Sequence, residues 1–334
     1  MAVIDVRDLA KFYGEVRAVD GISFTVEEGE VFGFLGPNGA GKTTTIRTLL
    51  GFLAPTNGSA TILGADCTDE SAMIAAKRSI GYLPANPSFE EDSTGQEILD
   101  LHAAIKGDSR RAALLELFDP PLDRKVRAYS SGNKQKLGLI QAFMHDPDLV
   151  ILDEPTSGLD PLMQQRFNDF IRSERDRGTT VFFSSHVLSE VRQVCDRVAI
   201  LRNGHLVTTE TIESLLGRSG KFVRARIVGA VDDDAFTDED IHDIERTVID
   251  DGAQQLLAAA GPQGAAEASV VTELRFTYTG DVNDLLADLR QYRFVDLDLE
   301  EAPLEEVFMR FYGETKPGGA VDSDERAEGG AADV

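Results

Sequence analysis

"GPNGAGKT", residues 36–43, follows the apolar run "VFGFL" (31–35) and opens a stretch with helical spacing that runs to Phe52. The octet has the form G-x-x-x-x-G-K-[ST], with a strand before it and a helix after it. That is the setting in which the spacing wraps an anion. Glycines let the backbone close around a phosphate without Cβ clashes. Main-chain N–H groups and the N-terminus of the following helix then face the negative charge. The candidate nucleotide-binding residues are Gly36, Pro37, Asn38, Gly39, Ala40, Gly41, Lys42, Thr43 and Thr44. Lys42 has the reach for β- and γ-phosphate oxygens, and Thr43 can offer its hydroxyl to Mg2+. A chance glycine turn with a surface lysine would need neither flanking element.

A second half answers the first. "DLVILDEP" (148–155) is an apolar run of buried-strand length that ends in Asp153 and Glu154. Asp153 can hold Mg2+, directly or through water, and Glu154 can poise a water for attack on a γ-phosphate. Paired acids at a strand end are common as surface charge. Downstream of a phosphate loop they acquire a role. Between the two halves lies "YSSGN" (129–133), a small polar turn ahead of a helical pattern, with Ser130 in N-cap position.

The remaining pattern fills out an α/β core. "VIDVR" (3–7) alternates and reads as an edge strand; "GISFTVEEGEVFGFLG" (21–36) reads as two strands around a Glu-Gly turn; "SATILG" (59–64) is another strand. Residues 70–145 look mostly helical, with 75–84 as an interruption. An amphipathic helix (161–178), a buried strand "TTVFFSSH" (179–186), a short helix and an Asn-Gly hairpin (196–207) follow. Strands alternating with helices imply a three-layer core on a mainly parallel sheet.

Near residue 218 the character changes. Residues 219–312 read strand, helix, strand, helix, strand: strands at 221–229, 270–280 and 293–300, helices near 236–248 and 281–291, and a partly looped 253–269 between. The expected division is therefore 1–217 for the nucleotide-binding domain (helical subdomain about 70–145), 218–314 for a small α+β accessory domain, and 315–334 for an acidic, disordered tail.

The formal net charge is −25, which repels nucleic acid and anionic lipid, so no nucleic-acid partner is expected. Acids spread along the chain with little lysine resemble the surfaces of proteins from salt-accumulating cells. No apolar run reaches membrane-span length, and charges fall too early at the N-terminus for a secretory signal. A cytosolic chain is expected, reaching a membrane only through a partner. Cys67 and Cys195 sit in no ligand cluster and are expected to be reduced, buried thiols.

With the phosphate loop, YSSGN and the Asp-Glu strand in that order over roughly residues 3–217, the sequence resembles the ATP-binding cassette (ABC) transporter ATPase family. "FLGPNGAGKTTTIRTLLGFLAPTNGSATILG" is especially similar to its drug- and antibiotic-export branch, as is "APLEEVFMRFYGE" (302–314). The resemblance implies a P-loop NTPase core with an antiparallel β subdomain and a helical subdomain. It also implies ATP and Mg2+ as ligands, a separate membrane permease as partner, a place on the cytoplasmic face of the membrane, and an ATP-dependent head-to-tail homodimer.

Residue roles follow from the resemblance. YSSGN matches the signature loop that faces the other subunit's ATP: Ser130 by its hydroxyl and Gly132 by its N–H, with Ser131 and Asn133 departing from the usual residues. Tyr13 is similar to the aromatic that stacks on adenine, the alternative being a buried strand residue. Asp160, in "SGLD", resembles the loop crossing to the partner site, and His186 resembles the switch histidine at the γ-phosphate. The position that usually carries a Gln, sensing Mg2+ or the attacking water and coupling to the permease, is Ala85, beside Asn86. The leading expectation is an ATPase driving export, with Glu154 activating water. A non-transport ABC ATPase and a low-activity regulatory ATP-binding subunit are the alternatives.

Overall fold

The computed structural model describes residues 2–218, 220–231, 236, 240–249 and 270–301. Expectations for residues 253–269, 302–314 and the tail 315–334 lie outside the described residues.

Two sheets pack face to face. The first is antiparallel, in the order β2 (Val16–Glu27), β1 (Ala2–Tyr13), β4 (Asn57–Ile62), β5 (Ala65–Asp66). The stretch 3–7, expected at an edge, is interior: β1 pairs with β2 on one side and β4 on the other. Its apolar/polar alternation reports one buried face, which an interior antiparallel strand also has.

The second sheet has six strands, in the order β10 (His205–Thr211), β9 (Arg197–Arg202), β3 (Val31–Leu35), β8 (Thr180–Ser185), β7 (Leu149–Asp153), β6 (Ile80–Leu83). All but β10 run parallel. Strands β3, β7 and β8 are fully buried because both faces are covered. Phe32, Phe34, Ile151 and Phe182 point toward the antiparallel sheet and α1 (Lys42–Leu49). Phe24 of β2 completes that aromatic layer, stacked at 5.6 Å on Phe32. Val31, Leu35, Val150, Leu152, Val181 and Phe183 point the other way, into α5 (Ser131–Phe143), α6 (Pro161–Asp176) and α7 (Leu188–Val194). These are the three layers read from the pattern.

The interruption expected at 75–84 is partly a strand: β6 pairs in parallel with β7, from Ile80 opposite Leu149 to Leu83 opposite Leu152. Its neighbours in the chain are helical, α2 (Glu70–Ala76) before and α3 (Gly95–Lys106) after. Lys106 of α3 donates its ammonium to the Ile80 carbonyl at 2.7 Å. Registers Leu35–Ser185, Asp153–Ser184 and Leu83–Leu152 align the carboxyl ends of four strands. Loops leaving that edge converge on one place, where open α/β sheets bind ligands. The Asn-Gly hairpin forms as expected, with Asn203 and Gly204 at φ 49° and 79°.

A third, antiparallel sheet has the order β12 (Ile241–Ile249), β13 (Val271–Tyr278), β11 (Lys221–Val228), β14 (Phe294–Glu301). The final helix of the described residues, Val282–Leu289, buries Leu285 and Leu289 in the core of this sheet with Val223, Leu274 and Phe276. The helix expected near 236–248 is the strand β12. Ile241, Ile244 and Val248 carry helical spacing, but a run rich in Ile, Val and Thr also suits a strand, and pairing with β13 decides the matter. Both cysteines are free and buried, and burial pushes the Cys67 thiol up to about 12. Among the described residues, no helix is long and apolar enough to cross a membrane.

Candidate functional site

Buried β3 delivers the glycine loop to the carboxyl edge of the parallel sheet. Gly41 takes φ +108°, and a Cβ there would stand 2.4 Å from the Ala18 carbonyl oxygen, so no other residue fits before α1. Lys42 opens the helix, 6% exposed, and its ammonium donates to the Gly36 carbonyl at 2.6 Å. The loop walls a cavity of about 230 Å3, together with Ala18, Ala85, Asp153 and Glu154. Ala18 had no signal in the sequence: β2 brings it in from outside the motif.

Asp153 ends β7, buried at 1% exposure on the cavity wall. Thr43 Oγ1 donates to its Oδ2 at 2.9 Å, and Ser184 Oγ donates to its Oδ1 at 3.0 Å. Burial holds the Asp153 carboxyl above its usual range, with Thr43 and Ser184 opposing that rise. A desolvated carboxylate beside a hydroxyl is a hard-oxygen pair, the donor set Mg2+ prefers, with phosphate and water oxygens filling the other positions. These two side chains therefore fit the ion expected from the sequence.

Glu154 adopts φ 51°, rare for a residue with a Cβ, and its N–H donates to the Ser184 carbonyl at 2.9 Å. Held this way, its carboxylate turns into the cavity. Oε1 lies 3.3 Å from Lys42 Nζ, and Oε2 lies 2.7 Å from His186 Nδ1. Gln135 of α5, which sequence reasoning missed, donates from below to the Pro155 carbonyl at 2.8 Å and the Glu154 carbonyl at 3.3 Å. That couples the helix after YSSGN to the backbone of the candidate catalytic base. A buried glutamine at the fifth position of a helix carries no pattern that would have marked it.

The other expected residues fall in two groups. His186 joins the cluster through Glu154, and Ala85, not Asn86, lines the cavity wall. The signature residues do not line this chain's own phosphate cavity. Ser130 caps α5, accepting from the Asn133 N–H at 3.3 Å. Gly132 lies so close to the "SGLD" loop that an added Cβ would stand 2.6 Å from the Gly158 carbonyl oxygen. Asp160 caps α6, accepting from the Met163 N–H at 2.9 Å. Tyr13 is 48% exposed at the end of β1, with Lys11 Nζ 5.3 Å from its ring centre. That exposure excludes the buried alternative, and Tyr13 does not line the phosphate cavity.

A family model described as ABC transporter matches residues 19–157. The chain is 36% identical over 270 residues to a bacitracin transport ATP-binding protein of Bacillus licheniformis, covering 78% of this chain and 87% of that one. It is 31% identical over 321 residues to a Nod factor export ATP-binding protein of Rhizobium etli, covering 94% of each chain. A solved structure of an ATP binding subunit of an ABC transporter aligns with TM-score 0.58 and 31% identity, over 64% of this chain and 91% of that one. With the phosphate loop, the Asp-Glu strand end and the three-layer core all present, the chain belongs to the ABC transporter family as an ATP-binding protein with export-type relatives.

Proposed function

We propose that this chain hydrolyses ATP to power export through a separate membrane permease, on the cytoplasmic face of the membrane. The observation that carries the reading is the Glu154 carboxylate, turned into the phosphate-loop cavity between Lys42 and His186. Glu154 takes the proton of the attacking water. Lys42 and the loop amides hold the β- and γ-phosphates, and His186 aligns Glu154 and contacts the γ-phosphate. Thr43 and Asp153 would hold Mg2+, which when bound would supply positive charge against that gathering on the phosphates. Tyr13 stacks on the adenine.

Two copies close head to tail on ATP, and each presents Ser130, Ser131, Gly132 and Asn133 to its partner's γ-phosphate, with Asp160 crossing alongside. In support, this loop stands at the start of the thirteen-residue α5 and does not line its own cavity. The bacitracin-transport and Nod-factor-export relatives support the export direction. Residues 1–217 form the motor, with the helical stretch 70–145 as the permease dock. The described residues between 220 and 301 form an accessory domain around the third sheet. The net charge of −25 fits a protein working in concentrated salt, as in a halophile, and unfolding that is indifferent to molar KCl would count against that origin.

The test is ATP turnover of wild type and Glu154→Gln, alone and with a candidate membrane permease. Glu154→Gln is expected to retain ATP binding and lose at least about a hundredfold in turnover. Wild-type turnover in Glu154→Gln would overturn the assignment. Wild-type turnover unmoved by any membrane protein would favour a non-transport ATPase.

A further inference from the structure

Glu190, in the first turn of α7, carries no role in the reading above. Its two carboxylate oxygens are both engaged, and neither bond goes to its own helix. Oε1 accepts from Thr156 Oγ1 at 2.5 Å, and Oε2 accepts from Ser185 Oγ at 2.7 Å. Thr156 lies two residues after Glu154, and Ser185 immediately precedes His186. Ser185 Oγ in turn accepts the Val187 N–H at 2.9 Å, fixing the backbone on the far side of His186. The hydroxyl-bearing residues are buried, Thr156 at 4% exposure and Ser185 at 0%.

These contacts close a circuit. From Glu154 the chain runs to Thr156, Glu190 bridges to Ser185, the chain continues to His186, and His186 Nδ1 returns to Glu154 Oε2 at 2.7 Å. We propose that Glu190 is a positioning residue that sets the distance between His186 and Glu154 by clamping the two segments that carry them. An ordinary first-turn acid would serve its own helix by accepting from that helix's N–H groups. Glu190 instead satisfies two buried hydroxyls on two different segments, the loop after β7 and the end of β8. Removing its carboxylate leaves both without an acceptor, and a buried hydroxyl finds a new partner by moving its segment. Displacement of either segment by a fraction of an ångström moves the histidine relative to the carboxylate, and alignment of that kind strongly controls rate.

The inference rests on Glu154 being the catalytic base, and the test separates the two. ATP turnover and amide hydrogen exchange are compared for wild type, Glu190→Ala, Glu190→Gln, Thr156→Val and Glu154→Gln. Glu190→Ala is expected to lower kcat about tenfold or more while KM for ATP stays within about twofold, because the phosphate loop is untouched. Amides 185–188 are expected to exchange faster, with exchange in β3 and β7 unchanged. Glu190→Gln, whose amide can accept from one hydroxyl and donate to the other, is expected to recover most of the rate. Thr156→Val, which keeps the shape and removes one hydroxyl, is expected to lose part of it. Glu190→Ala with wild-type kcat beside an inactive Glu154→Gln would overturn the positioning role and leave the catalytic base standing. Equal turnover in all five would overturn both. A Glu190→Gln rate no better than that of Glu190→Ala would also contradict the clamp.

Discussion

His102 on α3 and His145 just after α5 face each other with ring centres 5.5 Å apart, in a groove beside β6. Burial, with the Lys106 ammonium nearby, pushes the imidazole of each from 6.5 down to about 4. His145 is further lowered by His102, and Asp146 opposes this. Gln141 Nε2 lies 3.2 Å from His102 Nδ1, which suits an unprotonated nitrogen accepting from an amide. Both rings are therefore neutral in the folded chain, while the unfolded chain binds a proton at each below about pH 6.5. Stability from the pair is complete above pH 6.5 and falls as pH drops from there toward 4. At pH 5 the linkage amounts to at most about 2 kcal/mol per ring, and partial exposure reduces this to about 1 kcal/mol each. For a chain of 334 residues the two together correspond to about 3 °C of Tm. The assay is thermal unfolding of wild type and of His102→Gln/His145→Gln, at pH 7.5 and 5 in constant molar KCl. The carboxylates titrate alike in both proteins, so the difference isolates the pair. Wild type is expected to lose about 3 °C more than the double variant. Equal losses, or a larger loss in the variant, would refute buried neutral imidazoles.

Other expectations concern the site. Lys42→Ala removes the only ammonium in the phosphate cavity among the described residues, and ATP turnover should fall at least about a hundredfold. ATP binding measured by calorimetry should weaken in parallel. Ala85→Gln extends a polar arm into the cavity from the wall where Ala85 now stands, and turnover should rise; an unchanged rate would mean the wall needs no ligand there. Gly132→Ala puts a Cβ 2.6 Å from the Gly158 carbonyl oxygen, pushing the signature and "SGLD" loops apart. The cost should be about 1–3 kcal/mol in chemical unfolding, with a loss of turnover.

What could be read without a structure was what is local in the chain. The phosphate loop, the Asp153-Glu154 strand end and the Asn203-Gly204 hairpin each declare their backbone geometry within a few residues. Strand β6 did not, because four residues between helices gain strand character only by pairing with β7, some seventy positions away. Residues 241–249 carried both helical and strand spacing, and only β13 broke the tie. Within the site, the residues proposed to act on phosphate or metal were legible because they sit in motifs. Gln135, Ser184 and Glu190 were not, since each has meaning only through a partner brought close by the fold. For the same reason Ala85 was legible as a departure, while its place on the cavity wall needed the fold.

The cross-subunit site is tested most directly by light scattering on Glu154→Gln in molar KCl, with and without ATP and Mg2+. With hydrolysis blocked, ATP should hold two copies together through Ser130 and Gly132 of one and the phosphate loop of the other. A monomer should become a dimer on adding ATP, and Ser130→Phe in the same background should abolish the change. A Glu154→Gln protein that binds ATP and stays monomeric, both alone and with its permease, would contradict the clamp.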